Sequence, residues 1–97
     1  MKKAEINKLK KLKTPQQINS LNGGTQLEYE FKNGYGASVA CHSGSYGRES
    51  SLLELAVLKN ANTKICYDTP ITGDVVGWLT ADEALELIEQ IEALPDC

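Results

Sequence analysis

Histidine occurs once, at His42, and the three cysteines, Cys41, Cys66 and Cys97, form no CxxC pair and stand at no metal-ligand spacing with it. This argues against a zinc site and against a disulfide framework. Free thiols are expected, with Cys41 and Cys66 as small buried side chains in strand-like runs and Cys97 exposed. No apolar run approaches the roughly 20 residues that span a bilayer. The lysine-rich start is not followed by the apolar stretch of a secretory signal, so a cytoplasmic protein without a membrane contact is expected. The phosphate-binding GxxxxGKS/T, the dinucleotide GxGxxG, the metalloprotease HExxH and the nucleophile elbow GxSxG are all missing. Gly44-Ser45-Tyr46-Gly47 only partly echoes the last of these. A Ser-His-Asp arrangement would need His42 to serve Ser43, Ser45 or Ser50, and nothing marks an orienting acid or an oxyanion hole. The carboxylates fall at helix-surface spacing and not as a pair in an apolar pocket. The expectation is a protein that is not an enzyme and uses no cofactor and no metal.

What is present suits one domain: 97 residues, 41% hydrophobic and 24% charged. The net charge of -3 hides an uneven distribution. Residues 1–13 carry Lys2, Lys3, Lys8, Lys10, Lys11 and Lys13 against Glu5 alone, a side-chain balance of +5. The remainder sets four basic residues against twelve acidic ones, a balance of -8. An acidic body repels nucleic-acid phosphates and favours encounter with basic surfaces, including the nucleic-acid-binding grooves of other proteins.

Along the chain, Ile6, Leu9 and Leu12 at spacings of three suit a short amphipathic helix. It is either a basic arm, with Lys8, Lys10, Lys11 and Lys13 placed to touch nucleic acid, or a frayed terminus. Thr14-Pro15 reads as a helix start and Asn22-Gly23-Gly24 as its stop, giving a helix over 15–22. From Thr25 the period becomes two. Leu27, Tyr29 and Phe31 alternate with polar residues, Asn33-Gly34 turns the chain, and Ala37, Val39 and Cys41 continue as the second strand of a hairpin. The polar stretch over 43–50 is expected to be an exposed loop, in which Tyr46, Arg48 and Glu49 are candidate partner contacts or, for the tyrosine, a cover on the core edge. Residues 51–59 read as a central strand with Leu53, Leu55 and Val57 on one face. Residues 63–67 form the fourth strand. Leu52, Ala56 and Leu58 then lie on the second face, and if uncovered would support a homodimer. Trp78 is expected to anchor the last helix on the sheet. Thr80-Ala81-Asp82-Glu83 is a capping box opening that helix. Its apolar stripe runs from Ala84 to Leu94, and its acidic face, with Glu83, Glu86 and Glu89, is either a second contact surface or a solvated exterior.

The predicted architecture is α+β: a four-stranded antiparallel meander packed by a C-terminal amphipathic helix, with a short helix before the sheet. Residues 1–24 form a basic arm and short helix, and 25–97 a single α+β domain. The stretches Asn33-Gly34-Tyr35-Gly36-Ala37-Ser38-Val39, Gly44-Ser45-Tyr46-Gly47, Leu53-Glu54-Leu55-Ala56-Val57-Leu58 and Tyr67-Asp68-Thr69-Pro70-Ile71-Thr72, followed by the Leu79-Thr80 helix start, occur in this order. In these the chain, over roughly 25–94, resembles a group of small uncharacterised proteins encoded by tailed bacteriophages and prophages. The resemblance implies a bacterial host cytoplasm and an accessory role, and assigns no residue a job. The leading expectation is a phage accessory protein that binds a host or phage protein, with inhibition of a defence or nucleic-acid-processing enzyme as its purpose. The alternatives are a nucleic-acid-associated protein using the basic arm, or a minor virion or assembly component.

Overall fold

The computed structural model describes residues 4–21, 24–41, 52–59, 64–65 and 75–95. In chain order the elements are α1 (Ala4–Leu12), β1 (Gln17–Leu21), β2 (Gly24–Glu30), β3 (Gly36–Cys41), β4 (Leu53–Lys59), β5 (Lys64–Ile65), β6 (Val76–Leu79) and α2 (Ala81–Glu92). The alternation of β2 and β3 does what a period of two dictates: Leu27, Tyr29, Ala37 and Val39 are fully buried on one face. The connection between these strands is a tight turn closed by Gly34 N–H donating to the Phe31 carbonyl (3.2 Å), with Gly34 at φ 91°. A side chain at Gly34 would oppose that angle.

The strands β1 to β5 lie in meander order and every pairing is antiparallel. β6 returns to β4 across an irregular register between Leu53 and Leu55, so that β5 and β6 both pair with β4. The α+β class and the antiparallel sheet therefore stand as expected, while the sheet has more strands than the four anticipated. Rows Leu27–Val39–Leu55 and Tyr29–Ala37–Val57 cross β2, β3 and β4 in register, and all six side chains are buried.

The added strand at the front of the sheet corrects a reading. Residues 17–21 are β1 and not part of a helix over 15–22. Ile18, Asn19 and Ser20 are indifferent helix formers, and the register Leu21↔Gly24 leaves two residues, Asn22 and Gly23, between the paired ends. Asn-Gly is the dipeptide that two-residue hairpin connections favour. The helix preceding the sheet is instead α1.

α1 is no detached arm. Ile6 and Leu9 are 1% and 0% exposed and belong to the same core as the sheet, together with Ala81, Ala84, Ile88 and Ile91 of α2. α1 runs parallel to α2: the Glu5 carboxylate accepts from the Ala81 N–H (2.7 Å), Lys8 pairs with Asp82 (3.1 Å) and Lys13 with Glu92 (3.3 Å). The boundary drawn after residue 24 thus falls inside β2 and separates β1 from the strand it pairs with, and the helix before it completes the core.

The second sheet face carries Gln17, Asn19, Gln26 and Ser38, linked by side-chain hydrogen bonds in that order at 3.0, 3.0 and 2.7 Å. Ala56 and Leu58 on this face are 8% and 7% exposed, and Leu52 is half-buried. The apolar surface that would have supported a homodimer there is covered within the protein. Cys41 is a free thiol buried in the core. His42, Cys66 and Cys97, and all but Lys64 and Ile65 of the strand expected over 63–67, lie outside the described residues.

Candidate functional site

α2 is held at both ends by atoms from elsewhere in the chain. At its start Thr80 Oγ1 accepts from the Glu83 N–H (3.2 Å), and Glu83 Oε1 accepts in return from the Thr80 N–H (2.9 Å). Glu5 takes the next orphan donor, at Ala81. At the other end there is no basic residue in the last turn. Asn33 supplies what is missing: its Nδ2 donates to the carbonyls of Ile91 (2.9 Å), Leu94 (3.0 Å) and Glu92 (3.3 Å), while its Oδ1 accepts from the Tyr35 N–H (3.0 Å). Asn33 is thus the one buried polar residue among those described.

This clamping fixes which face α2 shows to solvent. Asp82, Glu86 and Glu89 stand at helical spacings of four and three, exposed, with half-buried Leu85 between them. Together with Glu83 they line a shallow hollow of about 330 Å³. Lys8 and Lys13 meet the carboxylates at the two ends, Asp82 and Glu92. Among the described residues Glu86 and Glu89, between them, have no ion pair. A lysine or arginine entering here could lay its aliphatic stem on Leu85 and its charged head among the carboxylates.

Three of the anticipated contact residues, Glu83, Glu86 and Glu89, therefore come together, although Glu83 is engaged in the cap. Tyr46, Arg48 and Glu49 lie outside the described residues. The basic set does not form a free patch. Lys8 and Lys13 are paired to α2, Lys10 is half-buried and Lys11 is exposed.

Trp78 departs from its expected place. Its side chain is 60% exposed, so it does not anchor α2 on the sheet; Leu79 and Ala81 beside it do. It sits in the irregular stretch of β6 at φ 61°, a left-handed angle that costs a bulky residue roughly 1–2 kcal/mol. Residues held at such a cost gather at functional positions. An exposed tryptophan is also the side chain most often found to dominate a protein contact. The sequence signal was ambiguous, since a lone tryptophan before a helix reads equally well as core.

A larger hollow of about 630 Å³ lies where α1, β2 and the end of α2 meet, with Tyr29, Phe31 and Asn33 on one side and Lys13 and Glu92 on the other. Lys13 Nζ stands 5.9 Å from the Phe31 ring centroid, a cation–π contact. The Tyr29 hydroxyl donates to the Lys13 carbonyl at 2.9 Å, and burial pushes its pKa up from 10.0 to about 12. Because the folded protein favours the neutral phenol, this stabilisation is complete below pH 10 and is lost as pH rises towards 12. Tyr29→Phe is accordingly expected to lose about 1 kcal/mol at neutral pH. The gap between wild type and variant should close as pH passes from 10 to 12, which urea titrations at several pH values will measure.

Among the described residues no group of three or more His, Cys, Asp or Glu is placed to hold a metal. No described helix is long and apolar enough to cross a membrane. No family model, curated protein or solved structure matches the chain. The site is therefore judged on its own geometry: a rigid acidic ledge with an apolar floor, and an exposed tryptophan four residues before its first carboxylate.

Proposed function

We propose that the protein is a binding module, of the phage accessory type, whose acidic α2 face docks on a basic surface of a host or phage protein. The reading extends to its purpose: a surface of this charge occupies the place of nucleic acid on a defence or nucleic-acid-processing enzyme. The observation that carries the proposal is Glu86 and Glu89 beside Leu85, in no ion pair with any described residue, on a helix whose two ends are clamped. A preorganised charged ledge loses little freedom on binding, and this is where affinity is gained cheaply. The acidic body steers the encounter, and the exposed Trp78 supplies an anchor.

Like charges at 82, 86 and 89 repel one another along the helix by a few tenths of a kcal/mol each. The double variant E86Q/E89Q should therefore be as stable as wild type or slightly more so, while its partner affinity falls at least tenfold. Tagged protein is incubated with bacterial lysate at low salt, and captured protein is quantified for wild type and variant. A stoichiometric partner whose capture weakens with salt and is lost in the variant is expected. Trp78, the only tryptophan in the chain, should emit as a solvated indole in the free protein and shift when that partner is added. Capture of no stoichiometric protein at low salt, or undiminished capture by the variant, overturns the proposal.

A further inference from the structure

The two margins of the sheet differ. The outer side of β4 is shared by β5 and β6. The opposite margin is β1, five residues long, paired with β2 on its inner side over five unbroken positions. Among the described residues β1 makes no backbone hydrogen bond except to β2. An open strand edge presents a row of unused N–H and C=O groups. Monomeric proteins usually blunt such an edge with a lysine, a proline, a bulge or a covering element. β1 has none of these within its length: no charged residue occurs from Thr14 through Leu27, and Pro15 precedes the strand.

The side chains tell the same story. Ile18 lies opposite Leu27, on the helix-bearing face, yet is 53% exposed because the helices do not reach this far. Leu12, at the end of α1 on that same face, is 47% exposed. The edge thus combines unsatisfied backbone polar groups with apolar side chains.

We propose that β1 pairs antiparallel with β1 of a second copy of this chain, joining two sheets across a two-fold axis. A second copy is permitted by charge and favoured over a foreign strand by symmetry. Two copies, each of net charge -3, repel, but at the β1 margin, uncharged from Thr14 through Leu27, no like charges of the two copies are opposed. A short antiparallel strand pair is also self-complementary about a two-fold, as a closed dimer requires. Centring on Asn19 would set the Asn19 residues of the two copies opposite each other, with Ile18 of each opposite Ser20 of the other.

The prediction is separable from the acidic-face proposal by its salt dependence. Screening relieves the repulsion between two acidic bodies, so self-association should strengthen with salt, whereas docking through Glu86 and Glu89 weakens. Sedimentation of the full chain is followed up to about 1 mM, at which a dimer of only about 4 kcal/mol is half-formed. Backbone amide exchange is measured at both ends of that range. Expected are concentration-dependent dimers and added protection of β1 amides, both reduced at least tenfold in Ile18→Lys, which places like charges across the joint. Amide exchange of the wild type gives the answer even if that variant folds poorly. A monomer throughout the range, or a dimer that leaves β1 amides unprotected, overturns the proposal.

Discussion

Asn33→Ala should destabilise the domain by about 3 kcal/mol, a large share of the 5–15 kcal/mol that holds a domain together. Only one hydrogen bond of the turn is lost, that from the Tyr35 N–H, and Gly34 and not Asn33 carries the positive φ. The rest of the loss comes from α2, whose last turn has no basic residue of its own and whose last carbonyls depend on the Asn33 amide. Asn33→Asp separates these roles. It keeps shape and can still accept from the Tyr35 N–H, but at neutral pH it has no donor and places a negative charge at the negative end of a helix. It should be the worse variant at pH 7. Its folded pKa lies above the unfolded carboxylate value, so the relative deficit is greatest at neutral pH and shrinks as pH falls towards about 4. Urea unfolding of the three proteins at pH 7 and near pH 4 decides this. Equal losses for Ala and Asp at pH 7 would show that a negative charge at the helix end costs nothing, and wild-type stability of either variant would show that the amide donor is unimportant.

Ile88→Ala is expected to cost about 2–5 kcal/mol. Ile88 is fully buried in the middle of α2, within the core shared with Ile6, Leu9 and the sheet. The better helix propensity of alanine returns only a few tenths of that. For a chain of this size each kcal/mol lowers Tm by roughly 4–8 °C. Ile18→Ala is the internal control, since a side chain 53% exposed at the sheet margin has little burial to lose. Comparable losses at the two positions would mean that the margin is already covered in solution, as pairing of two copies would produce.

The parts of the fold that were legible share one property: local pattern and tertiary role agree. In β2 and β3 alternation matches the buried face, and in β4 Leu53, Leu55 and Val57 did so despite their helical propensity. The capping box at Thr80 and Glu83 is a short-range device and is formed. What escaped was long-range or double in function. Ile6 and Leu9 look like a marginal nine-residue helix because the surface that stabilises it lies more than seventy residues away. Asn22-Gly23 and Asn33-Gly34 are the same dipeptide, and a preceding Thr-Pro led one to be read as a helix stop. Asn33 was legible as a turn residue, but its hold on α2 was not. Of the candidate site, the acidic face was readable from spacing alone. The pairing of Lys8 and Lys13 to its ends was not, since that needs the parallel placement of α1.

That placement has a consequence for how the chain reaches its native state. α1 is made early, yet the groups that hold it, at Ala81, Asp82 and Glu92, are synthesised some 74 to 79 residues later. Until they arrive, Ile6 and Leu9 have only the sheet to rest on. Docking of α1 and α2 must therefore follow closure of a loop nearly as long as the domain, and contacts of such sequence separation slow folding. Of the two helices, the one synthesised earlier is among the last elements to be secured.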